Sequence, residues 1–219
     1  ANYAITTNGA VIADLKTNKA IRTCGLSNEM VQRILNIAKK YHSATDPFID
    51  GRAITQPSSI DHMDEFGLSP QMQKLIRDTR EVVPDVMEYV KTTGAQAEKI
   101  NIFMTDLEER EILRKELMAM PELSISSSMY NNLEVNAKGA DKGSALLWLA
   151  DHLGISREET MAFGDGENDI PMIKAAGIGV AMENALDTVK EAADTITLNN
   201  DEDGVAAAIR KFIFGSSEE

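Results

Sequence analysis

A single cysteine, Cys24, in 219 residues leaves no internal disulfide framework and fits a reducing compartment. Histidine is also scarce. His42, His62 and His152 fall in different segments without metal-ligand spacing, so each reads as a surface or packing residue rather than a zinc ligand. Basic residues are outnumbered by acidic ones, and the formal net charge is -13. That balance argues against a general nucleic-acid binder, which needs a basic surface to release counterions. It leaves room for a small phosphorylated ligand, because a metal ion and one or two lysines reverse the local field inside an acidic protein. No apolar run approaches the length of a membrane span, and the first residues carry no signal-peptide pattern. The expectation is a cytoplasmic protein with no membrane and no nucleic-acid partner.

What the chain does hold is enough apolar sequence, 43% of its residues, for a sizeable core in one large domain or two small ones. Its organising stretch runs from Met161 to Met182, where an apolar strand pattern ends abruptly in Gly164-Asp165-Gly166-Glu167-Asn168-Asp169. Strand, acidic glycine-rich loop and helix start in that order mark the carboxyl end of a strand in an open α/β sheet. Two aspartates directed into one small volume are costly near a core unless a cation joins them. Oxygen donors with no cysteine or histidine nearby favour Mg²⁺ over zinc. Capping offers a second account: Asp169 caps the following helix and Asp165 caps the turn. Spacing alone leaves both open.

Lys142 is the other candidate. It falls in the first turn of a helix opened by Ala137-Lys138-Gly139-Ala140-Asp141 and faced by Leu146, Leu149 and Leu153, with Gly154 ending it. A lysine is misplaced there, since a helix N-terminus is already positive, and an anion bound beside it would resolve the conflict. An ordinary solvated surface lysine is the alternative.

Read from the start, Tyr3–Thr6 and Val11–Ile12 are strands flanking Thr7-Asn8-Gly9-Ala10, and a further strand lies near 20–24. Asn8-Gly9 is either a hairpin turn or the edge of a ligand site. A helix follows Ser27, short strands occupy 47–50 and 52–55 around Gly51, and Ser69-Pro70 opens another helix. Residues 82–90 carry a helical apolar face. Lys99–Met104 is a strand, Asp106 and Glu109 cap a helix through Leu117, and 123–128 is a strand. Ser156 and Glu159 form a second capping box before the strand that feeds the acidic loop. Strands at 178–182 and 194–198 and a helix over 205–214 complete the pattern, and the tail 215–219 is expected to fray.

Three pieces in order carry a resemblance. Thr7-Asn8-Gly9-Ala10, Asn136-Ala137-Lys138-Gly139-Ala140-Asp141-Lys142-Gly143 and Gly164-Asp165-Gly166-Glu167-Asn168-Asp169-Ile170-Pro171-Met172 together resemble the haloacid dehalogenase (HAD) superfamily, and within it the Cof-type sugar-phosphate phosphatases. Gly179-Val180-Ala181-Met182-Glu183-Asn184-Ala185 looks like that family's next strand and loop. The resemblance spans essentially the whole chain. It implies an α/β fold, with a HAD-like Rossmannoid parallel sheet as core and an inserted α+β cap domain. The expected division is a core fragment at 1–12, a cap at 13–130 and the main core at 131–219.

The resemblance further implies Mg²⁺-dependent hydrolysis of small phosphomonoesters by way of an aspartyl-phosphate. Lys142 matches the phosphate-holding lysine, Asp165 the Mg²⁺ ligand, and Asp169 the residue supporting the metal or its water shell. Asn168 would hydrogen-bond in the same loop, and Asn8 would lie beside the substrate at the core-to-cap junction. On the cap, Asp46, Asp50 and Arg52 could reach the leaving group, Arg52 before the others, against the plainer account of an exposed hairpin arginine. The family opens with an Asp-x-Asp-Gly-Thr loop, which these residues do not contain. The expectation is therefore a core incomplete at its N-terminus, a missing N-terminal segment of the same protein as partner, and a chain inactive alone. A non-catalytic phosphosugar- or nucleotide-binding protein of the same fold is the alternative function.

Overall fold

A computed structural model describes residues 1–215, so the expected fraying of the tail lies, beyond Gly215, outside the described residues. The chain divides into two compact units, Ala1–Ala140 and the residues from Asp141 onward.

The first unit begins with an antiparallel sheet of β1 (Tyr3–Thr6), β2 (Val11–Asp14) and β3 (Lys19–Thr23). Thr7, Asn8 and Gly9 turn the chain between β1 and β2 with φ of 48°, 59° and 95°. Asn and Gly tolerate this left-handed region at little cost, which is why they stand at this turn. The N-terminal residues are thus an integrated strand, paired from Tyr3↔Asp14 to Thr6↔Val11. The expectation that a sheet is left incomplete at the N-terminus is corrected on this point. Ala4 and Ile5 pair with Ala13 and Ile12 of this hairpin.

After α1 (Asn28–Ala38), capped by Ser27 as its sequence implies, come β4 (Ser43–Ile49), β5 (Arg52–Thr55), α2 (Pro57–Asp61), α3 (Pro70–Thr79) and β6 (Arg80–Val82). They are followed by α4 (Val86–Thr93), β7 (Lys99–Met104), α5 (Leu107–Met118), β8 (Leu123–Ser126) and β9 (Asn132–Ala137). The strands form one sheet in the order β6-β5-β4-β7-β9-β8. Alternation along the strands gives the sheet two characters. Ile100, Ile102, Leu133 and Val135 enter a core shared with Ile34 of α1, Val90 of α4 and Leu113 of α5. The opposite face is apolar at one end, where Ala44 and Phe103 meet Phe66 and Ile76, and ionic at the other. There Asp46 stands opposite Asn101, and Asn101 opposite Glu134. Because β9 pairs with both β7 and β8, it completes this sheet within the first unit.

The second unit contains α6 (Lys142–Leu153), β10 (Met161–Gly164), α7 (Ile170–Ala175), β11 (Ile178–Ala181), α8 (Asp187–Ala192), β12 (Thr195–Ile196) and α9 (Gly204–Ile213). Its three strands are parallel, in the order β10-β11-β12. Helix α6 packs on α7 through small residues: Gly143, Ala145 and Ala150 are buried, while Leu153 of the expected leucine face is 41% exposed. A Cβ on Gly143 would lie 2.3 Å from the Pro171 carbonyl oxygen, so backbone proximity rather than leucine volume sets this contact.

Candidate active site

Two short segments of the second unit build the site. Asp141 caps α6, accepting the Ser144 N–H at 2.8 Å, and this fixes Lys142 in the first turn. From there the Lys142 Nζ reaches Asp169 Oδ1 at 2.5 Å. The lysine that helix electrostatics disfavours is therefore held by a carboxylate, and its side chain is still 28% exposed.

Asp169 reaches this position because β10 ends in a glycine. A Cβ on Gly164 would stand 2.3 Å from Asp169 Cβ and 2.8 Å from its Oδ2, so only the bare backbone lets the loop close on itself. Asp169 Oδ2 then accepts the N–H groups of Asp165 and Gly166, at 3.0 and 3.1 Å. One buried carboxylate shapes the turn with one oxygen and holds the lysine with the other. Its side chain makes no capping bond to the helix that follows, Ile170–Ala175, so the capping account of Asp169 is corrected: both oxygens turn back to the loop and to Lys142.

Asp165 differs. Its side chain is exposed, its Oδ2 accepts from Asn184 Nδ2 at 3.0 Å, and its backbone oxygen accepts the Leu186 N–H at 3.2 Å. Asn168 lies half-buried in the same loop. Among the described residues no group of three or more His, Cys, Asp or Glu is placed to hold a metal by protein ligands alone. An all-protein cage such as a structural zinc site is therefore not offered here. The donor set, hard oxygens with an exposed carboxylate at a glycine-lined turn, fits Mg²⁺, which keeps much of its water and takes one or two carboxylates.

The structure brings together Lys142, Asp165, Asn168 and Asp169. Asn8 and Arg52 belong to the first unit. Asn8 Nδ2 donates to Glu134 Oε2 at 2.8 Å and to Asn136 Oδ1 at 3.2 Å. Arg52 is exposed and paired with Glu81 at 2.8 Å. Asp46 is buried against Arg80, and Asp50 occupies the turn after β4. His42 and His62 both face Glu65, and His152 stacks on Trp148. Sequence reasoning missed the part played by Asn184. The available signal was its place just beyond β11, since loops at the carboxyl ends of neighbouring parallel strands meet.

A family model described as haloacid dehalogenase-like hydrolase matches residues 1–209. The chain belongs to that family. The match runs through the N-terminal residues, where the expectation had placed only a fragment of an incomplete core, and that expectation is corrected to this extent. The chain is 50% identical over 114 residues to the 5-amino-6-(5-phospho-D-ribitylamino)uracil phosphatase YcsE of Bacillus subtilis, covering 51% of this chain and 46% of that protein. It thus spans about half the length of that curated relative. Among solved structures, a haloacid dehalogenase-like hydrolase from B. subtilis superimposes with a TM-score of 0.84 at 28% identity, covering 96% of this chain and 79% of the other. The HAD subclass IIB sugar phosphatase BT4131 gives 0.77 at 28% identity, covering 96% and 75%.

Proposed function

We propose that this family member hydrolyses small phosphomonoesters, sugar phosphates foremost, with Mg²⁺, the phosphoryl group passing to an aspartate and then to water. The reading is supported by the Lys142–Asp169 pair beside the exposed Asp165 carboxylate, and by relatives whose names describe phosphatases of phosphorylated sugar-like compounds. Bound Mg²⁺ would neutralise phosphate oxygen charge and help to align the reacting group. Asp165 would hold the cation, and Asp169 would support its water shell while keeping the loop closed. Lys142 would place its ammonium on a phosphate oxygen. Neither Asp165 nor Asp169 is assigned as the accepting aspartate. Asn168 and Asn8 are assigned to substrate binding and Arg52 to the leaving group, with residues 13–130 as cap and a cytoplasmic location.

The test is release of inorganic phosphate from p-nitrophenyl phosphate and a panel of sugar phosphates, with and without Mg²⁺. Metal-dependent turnover that falls about 100-fold or more in Lys142→Met is the expected result. Binding of Mg²⁺ and phosphate without turnover would replace hydrolysis by ligand binding. Turnover unchanged in Lys142→Met would remove the site.

A further inference from the structure

Three loops at the carboxyl ends of β10, β11 and β12 are tied together by one amide side chain. Asn184, just beyond β11, donates from Nδ2 to Asp165 Oδ2 at 3.0 Å in the loop after β10. Its Oδ1 accepts the backbone N–H of Asn200 at 3.1 Å, in the loop after β12. A carboxylate on one side and an N–H on the other admit a single orientation of the amide. Asp165 is consequently held at its N–H by Asp169, at its carbonyl by Leu186 and at its carboxylate by Asn184.

The two aspartates of the loop have partners of different charge. Asp169 meets an ammonium, whereas Asp165 meets a neutral donor. A neutral partner orients a carboxylate and leaves its charge available, while a cationic one would compete with any metal for it. The exposed Asp165 side chain would otherwise sample several rotamers and lose that freedom on binding an ion.

We infer that Asn184 is a positioning residue for Asp165, setting its carboxylate for a divalent cation, with the Asn200 N–H setting Asn184 in turn. This rests on the reading of Asp165 as the Mg²⁺ ligand. The competing account is a staple that only joins loops.

Calorimetric titration of the metal-free chain with MgCl₂ separates the two. Wild type binds; Asn184→Ala binds about tenfold more weakly, the loss of one hydrogen bond to a charged group. Asn200→Pro deletes the N–H that orients the amide, and Asn199, extended at ψ 173°, accepts a following proline. Its affinity falls about threefold, less than that of Asn184→Ala because the Asp165 contact itself remains. Thermal midpoints of both variants stay within about 2 °C of wild type, as expected for exposed side chains away from the core. Affinity for inorganic phosphate without metal is unchanged, since Lys142 is untouched. Wild-type Mg²⁺ affinity in Asn184→Ala, or parallel losses of Mg²⁺ affinity, metal-free phosphate affinity and thermal midpoint, would overturn the inference and leave the functional reading intact. No Mg²⁺ binding by wild type would overturn both.

Discussion

In the first unit β4, β7 and β9 send Ile49, Ile100, Ile102, Leu133 and Val135 into one cluster with α1, α4 and α5. The cluster in the second unit comprises Ile173, Ala181, Ala185 and Val189, and Leu147, Ile155, Leu186, Ile196 and Phe214 are exposed there. Close backbone approaches take the place of side-chain volume: Gly143 against Pro171, and Gly164 against Asp169. The unit that carries the site depends on the absence of atoms at defined points. Its companion depends on the presence of many. A site built from backbone turns keeps Lys142, Asp165 and Asp169 within one loop's reach without a large core beneath them.

The strongest way to break this contrast is to reverse the direction of substitution. Gly164→Ala drives a Cβ into Asp169, and Gly143→Ala drives one into the Pro171 carbonyl. Each should cost about 3 kcal/mol by forcing a backbone shift, with Gly164→Ala also losing Mg²⁺ binding. Leu133→Ala, fully buried in the first unit, should cost about 3 kcal/mol for the opposite reason, a cavity. Leu147→Ala on the second unit should cost about 0.5 kcal/mol or less. Denaturant unfolding checks all four, and a tolerated Gly143→Ala would remove the contrast.

Next in size is the ionic end of the first unit's sheet, where Arg80 Nε meets Asp46 Oδ2 at 3.1 Å with both side chains largely buried. Arg80→Met would leave a buried carboxylate without its cation and should cost about 3 kcal/mol. Asp46→Asn made together with Arg80→Met should recover part of the loss. Equal stability of the single and double variants would show that Asp46 does not need its cation.

Acid titration separates two carboxylates of that face. Burial raises the Asp46 pKa from its ordinary 3.8, with Arg80 only partly opposing. Burial also raises Glu134, but Lys99 at 2.7 Å and Asn8 outweigh it and hold the group below its ordinary 4.5. A raised folded-state value stabilises below the unfolded pKa, and that contribution is lost as pH rises through the folded value. A lowered one stabilises above the unfolded pKa and is lost as pH falls through the folded value. Unfolding followed from about pH 6 to about pH 3 should therefore show opposite trends. The wild-type advantage over Glu134→Gln shrinks on acidification, and that over Asp46→Asn grows. Parallel trends would contradict this assignment.

Much of this was legible in the chain, for physical reasons that also mark the limit. The segment Lys99–Met104 is a strand as read, and Ser27, Ser69 and Asp106 cap helices as their side chains allow. The acidic loop is where spacing put it. Residues of β9 were harder, because Asn132, Glu134 and Asn136 look like a linker until Leu133 and Val135 are seen to bury on the other face. Arg80–Val82 and the Pro57–Asp61 turn of helix are too short to carry a period. The Lys142–Asp169 contact joins the start of α6 to the loop after β10, a pairing that no local pattern encodes. Nor does a sequence show that Asp169 spends both oxygens on protein partners.

The smallest effect concerns Arg52, and it compares a surface residue of the first unit with Lys142 of the second. Arg52 pairs with Glu81 on an exposed face, so Arg52→Ala should change stability by about 0.5 kcal/mol or less. If it contacts the leaving group, its loss should raise KM for a sugar phosphate about threefold with kcat unchanged, the signature of binding felt equally in ground and transition states. Lys142→Met should instead lower kcat, because the ammonium acts where charge develops. A KM unchanged in Arg52→Ala would return that residue to its plainer account, an arginine held by its neighbour on a hairpin edge.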